Sequence, residues 1–189
     1  TFRRAGTFFE EGLVVHVELA EPFCPRLRSV LTDAGRSGTT TVHPRGTYVC
    51  MEGPQFSTRA ESHMHRLWGG DLIGMTCMPE ARLAREAELC YAMVGIATDY
   101  DSWRPHESAG DDASVLASVL ANLRRATEGA IALIEAALPR LGGADPRCSC
   151  GEALKMAIWS DFGRLEPAVR QRFEPLIGRY LADASRGKP

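Results

Sequence analysis

The stretch from Tyr48 to Trp103 changes its apolar period repeatedly, and this restricts the possible folds more than any other feature of the chain. Gly46-Thr47-Tyr48-Val49-Cys50-Met51 is a short β-prone run that ends at a turn signal, Gly53-Pro54. Ser57 is expected to open a helix, with Glu61 in its first turns and Met64, Leu67 and Trp68 as its apolar face. Leu72 to Thr76 is a second strand, and Pro79-Glu80 suits the first turn of a helix continuing over Ala81 to Leu89. Cys90 to Ala97 reads as a third strand, apolar on both faces, as strands inside a helix-covered parallel sheet are. The class predicted is α/β.

The residues just past those strands carry the chemistry. Met75-Thr76 and Thr98-Asp99-Tyr100-Asp101 follow the carboxyl ends of neighbouring strands, the edge at which open α/β sheets bind ligands. With Phe56 as an aromatic face and Ser57 and Thr76 as hydroxyls, two acidic side chains there can line a small-molecule site. The competing reading is that such Asp residues cap the next turn or helix.

Upstream, Leu13 to Leu19 is a predicted strand with His16 at its middle, and Cys24 to Arg36 a helix with Leu27, Val30 and Leu31 as its buried stripe. Ser102 to Ala113 is polar and broken by Pro105 and Gly110, which suits a gate over a site. Asp111 or Asp112 caps the long helix that follows. That helix runs to about Leu138, with Val115, Leu116, Val119, Leu120, Leu123, Ile131, Leu133 and Ile134 on one face, and Pro139, Gly142 and Gly143 stop it. Two tail helices are predicted, Glu152 to Trp159 and Pro167 to Leu181. The second sets Val169, Phe173, Leu176, Ile177 and Tyr180 on one side, to pack against the domain. Residues from Ser185 onward are expected to fray.

With 189 residues, one domain with a sizeable core is expected, its centre over about 1–139 and a helical tail over about 140–184. A net charge of −2 argues against a polyanion partner, so no nucleic acid is expected. No apolar run reaches membrane-spanning length and no signal-like stretch heads the sequence, so a soluble cytoplasmic protein is expected. The six cysteines read as scattered buried thiols. Cys148-Ser149-Cys150 is too tight for a zinc half-site on its own, and no second pair stands elsewhere in the sequence, so two loop thiols are expected. Thr1 as an N-terminal nucleophile is disfavoured.

Several of these stretches together resemble the trimeric purine nucleoside phosphorylase family, and within it the methylthioadenosine phosphorylase branch. The resemblance rests on Glu52-Gly53-Pro54 with Phe56 to Ser62, on Gly74-Met75-Thr76 ahead of Pro79-Glu80, on Ala97 to Asp101 with Trp103, and on Ala20 to Pro25. It is strong over about 1–139 and weaker beyond. It implies a three-layer α/β/α fold around a twisted mixed sheet. It also implies that about a hundred residues with the phosphate-binding loops lie ahead of Thr1, so that these residues form the carboxyl-terminal portion of a split or processed enzyme, with the amino-terminal half on another polypeptide. A trimer or hexamer is implied as well, because His16 would reach across a subunit interface to the 5′ end of the nucleoside. A disulfide at Cys148 and Cys150 would match one that some thermophilic members carry.

The reaction implied is phosphorolysis of a purine nucleoside, with phosphate as co-substrate and neither cofactor nor metal. Asp99 is the candidate acid at N7 of the leaving base and Asp101 its partner, since two neighbouring carboxyl groups favour holding a proton between them. Asp99 with Ser57 in place of an Asn and a Glu points to 6-aminopurines, because an ionised carboxylate repels a 6-oxo group. Phe56 would stack on the base, Met75 lie along the ribose hydroxyls, Ile73 add a further substrate contact, and Thr76 donate its hydroxyl to phosphate. Val115 and Leu116 suit an apolar 5′ substituent. Asp112 stands where Val is usual, and Gly74 where Asn is frequent, so adenosine or another 5′-modified adenosine is the alternative substrate, and a non-catalytic nucleoside-binding subunit the alternative role.

Overall fold

The computed structural model describes residues 4–10, 12–104, 112–142 and 148–185. In chain order the elements are α1 (Pro25–Gly35), β1 (Tyr48–Cys50), α2 (Arg59–Leu67), β2 (Leu72–Gly74), α3 (Cys77–Glu86), α4 (Asp112–Ala137) and α5 (Pro167–Ser185), with short 3-10 turns between α4 and α5. The backbone forms two compact units. Pro25–Cys77 with Met93–Ala144 make the first, and Arg3–Cys24, Met78–Ala92 and Asp145–Pro189 the second. Most of the expected gate, with Gly110 and Asp111, lies outside the described residues, as do Gly143 and the last four residues. No helix among the described residues is long and apolar enough to cross a membrane.

In the first unit the β1–α2–β2 segment is the parallel βαβ unit of the α/β class. Its register pairs Tyr48 with Leu72, Val49 with Ile73 and Cys50 with Gly74. The ladder is extended by Met51 N–H to the Gly74 carbonyl at 2.9 Å and anchored behind by the Asp71 carboxylate, which accepts from Thr47 N–H at 2.7 Å. The sequence places the opening of α2 at Ser57, but the cap is Thr58. Its hydroxyl accepts from Glu61 N–H at 3.2 Å, and the Glu61 carboxylate accepts from Thr58 N–H at 2.7 Å. The Thr58 N–H, and then the Thr58 hydroxyl donating to the same carboxylate at 2.8 Å, hold the Glu61 carboxyl below the usual carboxylate range.

Three expectations about this unit are corrected. Cys90 to Ala97 forms no strand, and the sheet among the described residues has two strands. An apolar run states that a segment can be buried, but a strand also needs a hydrogen-bonded neighbour, which the run does not specify. Leu67 and Trp68 stand exposed at 86% and 71%, while Met64 is only 37% exposed, so the apolar face of α2 is covered only toward its start among the described residues. On α4 the single apolar face is covered along one edge alone. Val115, Val119 and Leu133 are half-buried, while Leu116, Leu120, Leu123, Ile131 and Ile134 stay exposed. Helix α4 packs on α1, where Ala34 is buried and the expected stripe Leu27, Val30 and Leu31 is half-buried.

The second unit contains the better-formed core. Phe9, Leu13, Leu154, Ala157, Leu165, Phe173 and Ile177 are buried together, and Val169, Leu176 and Tyr180 pack against them. The expected apolar side of α5 is therefore the side that packs, with the Phe9 and Phe173 rings 5.6 Å apart. Leu13 to Leu19 contributes a single antiparallel bridge, Val15 to Ile158, instead of a strand. The expected helix over Glu152 to Trp159 is a 3-10 turn, Ser149–Glu152, followed by turns, because Ile158 is drawn into that bridge. Glu88, at φ +56°, joins the ends of this unit. Its carboxylate accepts from Leu154 N–H at 2.8 Å and from the Tyr180 hydroxyl at 2.6 Å, and pairs with Arg179.

Candidate functional site

Two close approaches shape the carboxyl ends of β1 and β2. Gly53 has φ +70°, the left-handed region that favours glycine, and a β-carbon there would meet the Met75 sulfur at 2.6 Å and push that side chain aside. Met75 is thereby held against the turn that follows β1. Gly74 lies under the Tyr48 ring, one residue before Met75. Thr76 is exposed just beyond, and Ile73 is half-buried within β2.

A second set of bonds attaches the acidic segment to α2 and to the turn before it. Ser57 is buried, with its hydroxyl directed to the Met51 sulfur at 3.6 Å and its carbonyl accepting from the Ser102 hydroxyl at 3.1 Å. From α2, Arg59 donates to the Ser102 carbonyl at 3.3 Å, and the buried Ser62 hydroxyl accepts from Trp103 N–H at 3.3 Å. The Arg66 guanidinium covers the Trp103 ring at 3.7 Å, and Trp103 meets Tyr100 edge-on at 5.6 Å. The turn holding Asp101 is closed by Arg104 N–H to the Asp101 carbonyl at 3.1 Å.

Asp99 is exposed and accepts from the Thr98 hydroxyl at 2.5 Å, while Asp101 beyond it is half-buried. The backbone immediately before Asp99 is fixed from α4: Asn122 donates its amide to the Thr98 carbonyl at 2.7 Å, and Arg125 donates to the Asn122 side-chain oxygen at 2.6 Å, setting the amide's orientation. Asn122, Ser62 and Ser102 are positioning residues that the sequence reading missed. For Asn122 a signal was present: a lone amide between Leu120 and Leu123 on a helix read as apolar.

The sequence-predicted residues fall into three groups. Ser57 and the Asp99–Asp101 segment are linked through Ser102 and Trp103, and Met75 is set by Gly53. Phe56, 84% exposed, and Leu116, 58% exposed, present open faces, Val115 is half-buried, and Asp112 opens α4. His16 belongs to the second unit, where its ring meets Trp159 edge-on at 5.5 Å and its backbone N–H donates to the Ala157 carbonyl at 2.9 Å.

The second unit also overturns one reading. Cys148 and Cys150 do have partner thiols, supplied singly by Cys24 and Cys90, and all four sulfurs lie within 4.8 Å of one another. Spacing along the chain could not show this, because Cys24 and Cys90 stand far apart in the sequence and only folding brings them together. The four are free thiols, with Cys148 at 3.6 Å from Cys24 and 3.4 Å from Cys90. The Cys150 N–H directed at its sulfur draws the Cys148 thiol down to about 7, whereas burial and then the hydrogen bond to Cys148 push Cys90 up to about 11 and Cys150 up to about 12.

Residues 1–139 match the model of a family described as the phosphorylase superfamily. The S-methyl-5′-thioadenosine phosphorylase of Cereibacter sphaeroides is 45% identical over 183 residues, 96% of this chain and 62% of that protein. The protein of the same description from Geobacter sulfurreducens is 44% identical over 178 residues, covering 94% and 60%. Among solved structures, a methylthioadenosine phosphorylase from an antarctic soil metagenomic library is 37% identical with a TM-score of 0.79, over 92% of this chain and 60% of that one. The Schistosoma mansoni methylthioadenosine phosphorylase in complex with tubercidin is 32% identical with a TM-score of 0.68, over 82% and 58%. The chain spans about three-fifths of the length of these relatives.

Proposed function

The chain belongs to the phosphorylase superfamily, and on that premise we propose that it carries the base- and ribose-recognising part of a 6-aminopurine nucleoside phosphorylase, with S-methyl-5′-thioadenosine as its nucleoside. The observation that carries the reading is the double anchorage of the acidic segment. Ser102 ties it to buried Ser57, and Asn122 ties the carbonyl before Asp99 to α4. A loop fixed at both ends presents a carboxyl group at a constant place, which an acid acting on a leaving base requires.

In this mechanism the glycosidic C1′–N9 bond breaks, its electron pair passes to the purine, and a phosphate oxygen bonds to C1′. Asp99 delivers a proton to N7 as charge builds on the base and accepts from the 6-amino group. Asp101 supports the protonated form from the adjacent turn. Phe56 offers its exposed ring to the base, Ile73 and Met75 lie along the ribose, and Thr76 donates to phosphate. Val115 and Leu116 face the methylthio group, with Asp112 at the head of their helix, and His16 closes the 5′ end from a neighbouring copy in a trimer or hexamer. The remaining phosphate contacts come from the part of the relatives' fold that this chain does not cover. The products are adenine and 5-methylthioribose 1-phosphate.

The deciding assay measures adenine released by the complete enzyme from S-methyl-5′-thioadenosine and from adenosine, with and without phosphate. Phosphate-dependent release, faster from the thioether, is expected. Faster release from adenosine moves the assignment to the second substrate. Release that ignores phosphate makes the protein a hydrolase, and binding without release makes it a nucleoside-binding subunit.

A further inference from the structure

We infer that Cys24, Cys90, Cys148 and Cys150 form a structural tetrathiolate site for one zinc ion, separate from the nucleoside chemistry and independent of that reading. The donor set comes from three segments far apart in sequence: the end of the amino-terminal arm, the stretch after α3, and the start of the 3-10 turn Ser149–Glu152. All three segments belong to the second unit. Cys24 is buried at 1% exposure, Cys150 at 4%, and Cys90 and Cys148 are half-buried, so the sulfurs converge at a place shielded from solvent.

The spacing suits a metal. A tetrahedral zinc with Zn–S bonds of ~2.3 Å separates its sulfurs by ~3.8 Å, from the tetrahedral edge. Cys148 lies 3.6 Å from Cys24 and 3.4 Å from Cys90, and no pair in the group is separated by more than 4.8 Å. A disulfide brings two sulfurs to ~2.05 Å, whereas here all four are free thiols and Cys148 approaches Cys24 and Cys90 alike instead of pairing with one. One ion of borderline softness satisfies all four at once, and four thiolates with no open position make a closed structural site, not a catalytic one.

The backbone around the cluster is arranged as thiolate ligands require. The Cys150 N–H is directed at the Cys148 sulfur, the kind of donor that offsets the excess negative charge of a tetrathiolate. The Cys24 N–H donates to the Tyr91 carbonyl at 2.7 Å, which fixes Cys24 beside Cys90. Phe23 and Tyr91 stack at 5.9 Å on the same two segments, so the ligand from the arm is held by packing as well as by backbone. Binding is not a redox step: zinc enters as the dication, four S–H protons leave to solvent, and no electron moves. The ion then fastens the arm, the segment after α3 and the 149–152 turn together, so its binding free energy is folding free energy for the second unit.

The test uses the full-length protein, purified with a thiol reductant and without chelator. Elemental analysis should find roughly one zinc per chain, and cobalt(II) added to metal-free protein should give the intense visible bands and thiolate charge-transfer absorption of a tetrahedral sulfur site. Cys90→Ser and Cys148→Ser should lose the ion, Cys50→Ser should keep it, and metal removal should lower the thermal midpoint. If the serine variants fail to fold, the cobalt spectrum of the wild type still decides. Absence of bound metal with four titratable thiols, disulfides formed among these cysteines under reductant, iron in place of zinc, or a cobalt spectrum without thiolate bands would each overturn the assignment.

Discussion

The ring of Tyr48 lies over Gly74, its Cζ 2.9 Å from where a β-carbon on Gly74 would stand and its hydroxyl nearer still. The register explains the contact: Tyr48 pairs with Leu72 and Cys50 with Gly74, so the tyrosine leans diagonally across β1–β2 onto the glycine. The two residues therefore function as one choice. Gly74→Asn, which introduces the residue frequent at this place in the resembling family, must displace the ring and is expected to cost ~1–3 kcal/mol of stability, the usual penalty for overfilling a packed site. Combining it with Tyr48→Ala should recover most of that loss. Denaturant titrations of the two single variants and the double variant form the cycle that measures it, and simple additivity would show that the contact does not constrain Gly74.

Asn122 holds the carbonyl before Asp99 from α4. Asn122→Ala removes one hydrogen bond of ~0.5–1.5 kcal/mol from a loop that must present an acid, and adenine release is expected to fall by roughly 3- to 10-fold with little change in thermal midpoint. Arg125→Ala, which frees the amide without deleting it, should have a smaller effect in the same direction. Steady-state kinetics on both variants tests this, and equal rates for all three proteins would detach Asp99 from the anchor.

Local patterns in the sequence were enough for the helix positions of α1, α2 and α5, for β1 and β2, and for the packing side of α5, because each is written in adjacent residues. The same patterns overstated Cys90 to Ala97 and Leu13 to Leu19 as strands, since β pairing depends on partners that periodicity does not name. The cap of α2 was misplaced by one residue because Ser57 and Thr58 are both good caps, and only Thr58 has Glu61 three residues on. Ser57 and the Asp99–Asp101 segment were legible as lining one sheet edge from their positions past the strands, and their roles toward a purine came through resemblance. The means of joining them, Ser102 to the Ser57 carbonyl and Asn122 to the Thr98 carbonyl, uses polar side chains on backbone groups, which leave no spacing rule in the sequence. Four cysteines from three distant segments are invisible to any motif because only folding brings them together.

Exchange of Asp99 tests the chemistry directly. Asp99→Asn retains size and one acceptor but cannot supply a proton, so turnover of 6-aminopurine nucleosides is expected to fall by ~10²-fold or more. The new amide can donate to a 6-oxo group, so the ratio of inosine to adenosine turnover should rise. Parallel kcat/KM measurements on the two nucleosides check both effects. A variant slowed equally on both would show that the carboxyl group matters for folding of its loop instead of for the base.

The Glu88 network predicts an alkaline weakness in the second unit. Burial, and then its hydrogen bond to the Glu88 carboxylate, pushes the Tyr180 phenol up to about 12 from an ordinary value of 10. A folded-state value above the unfolded one means that the fold favours the neutral phenol. The stabilisation is complete below pH 10 and is lost as the pH rises from 10 to about 12, because over that window the unfolded chain has released the proton and the folded chain still holds it. Tyr180→Phe lacks the titrating group and loses one hydrogen bond, so it should be less stable than the wild type at neutral pH. The gap between the two should then shrink steadily above pH 10. Glu88→Ala should cost about 1–3 kcal/mol at neutral pH, since it leaves Leu154 N–H and the Tyr180 hydroxyl without their acceptor. Urea midpoints for the three proteins between pH 7 and 11.5 provide the measurement. A gap between wild type and Tyr180→Phe that stays constant up to the highest pH would mean that neither burial nor the Glu88 hydrogen bond holds the phenol neutral.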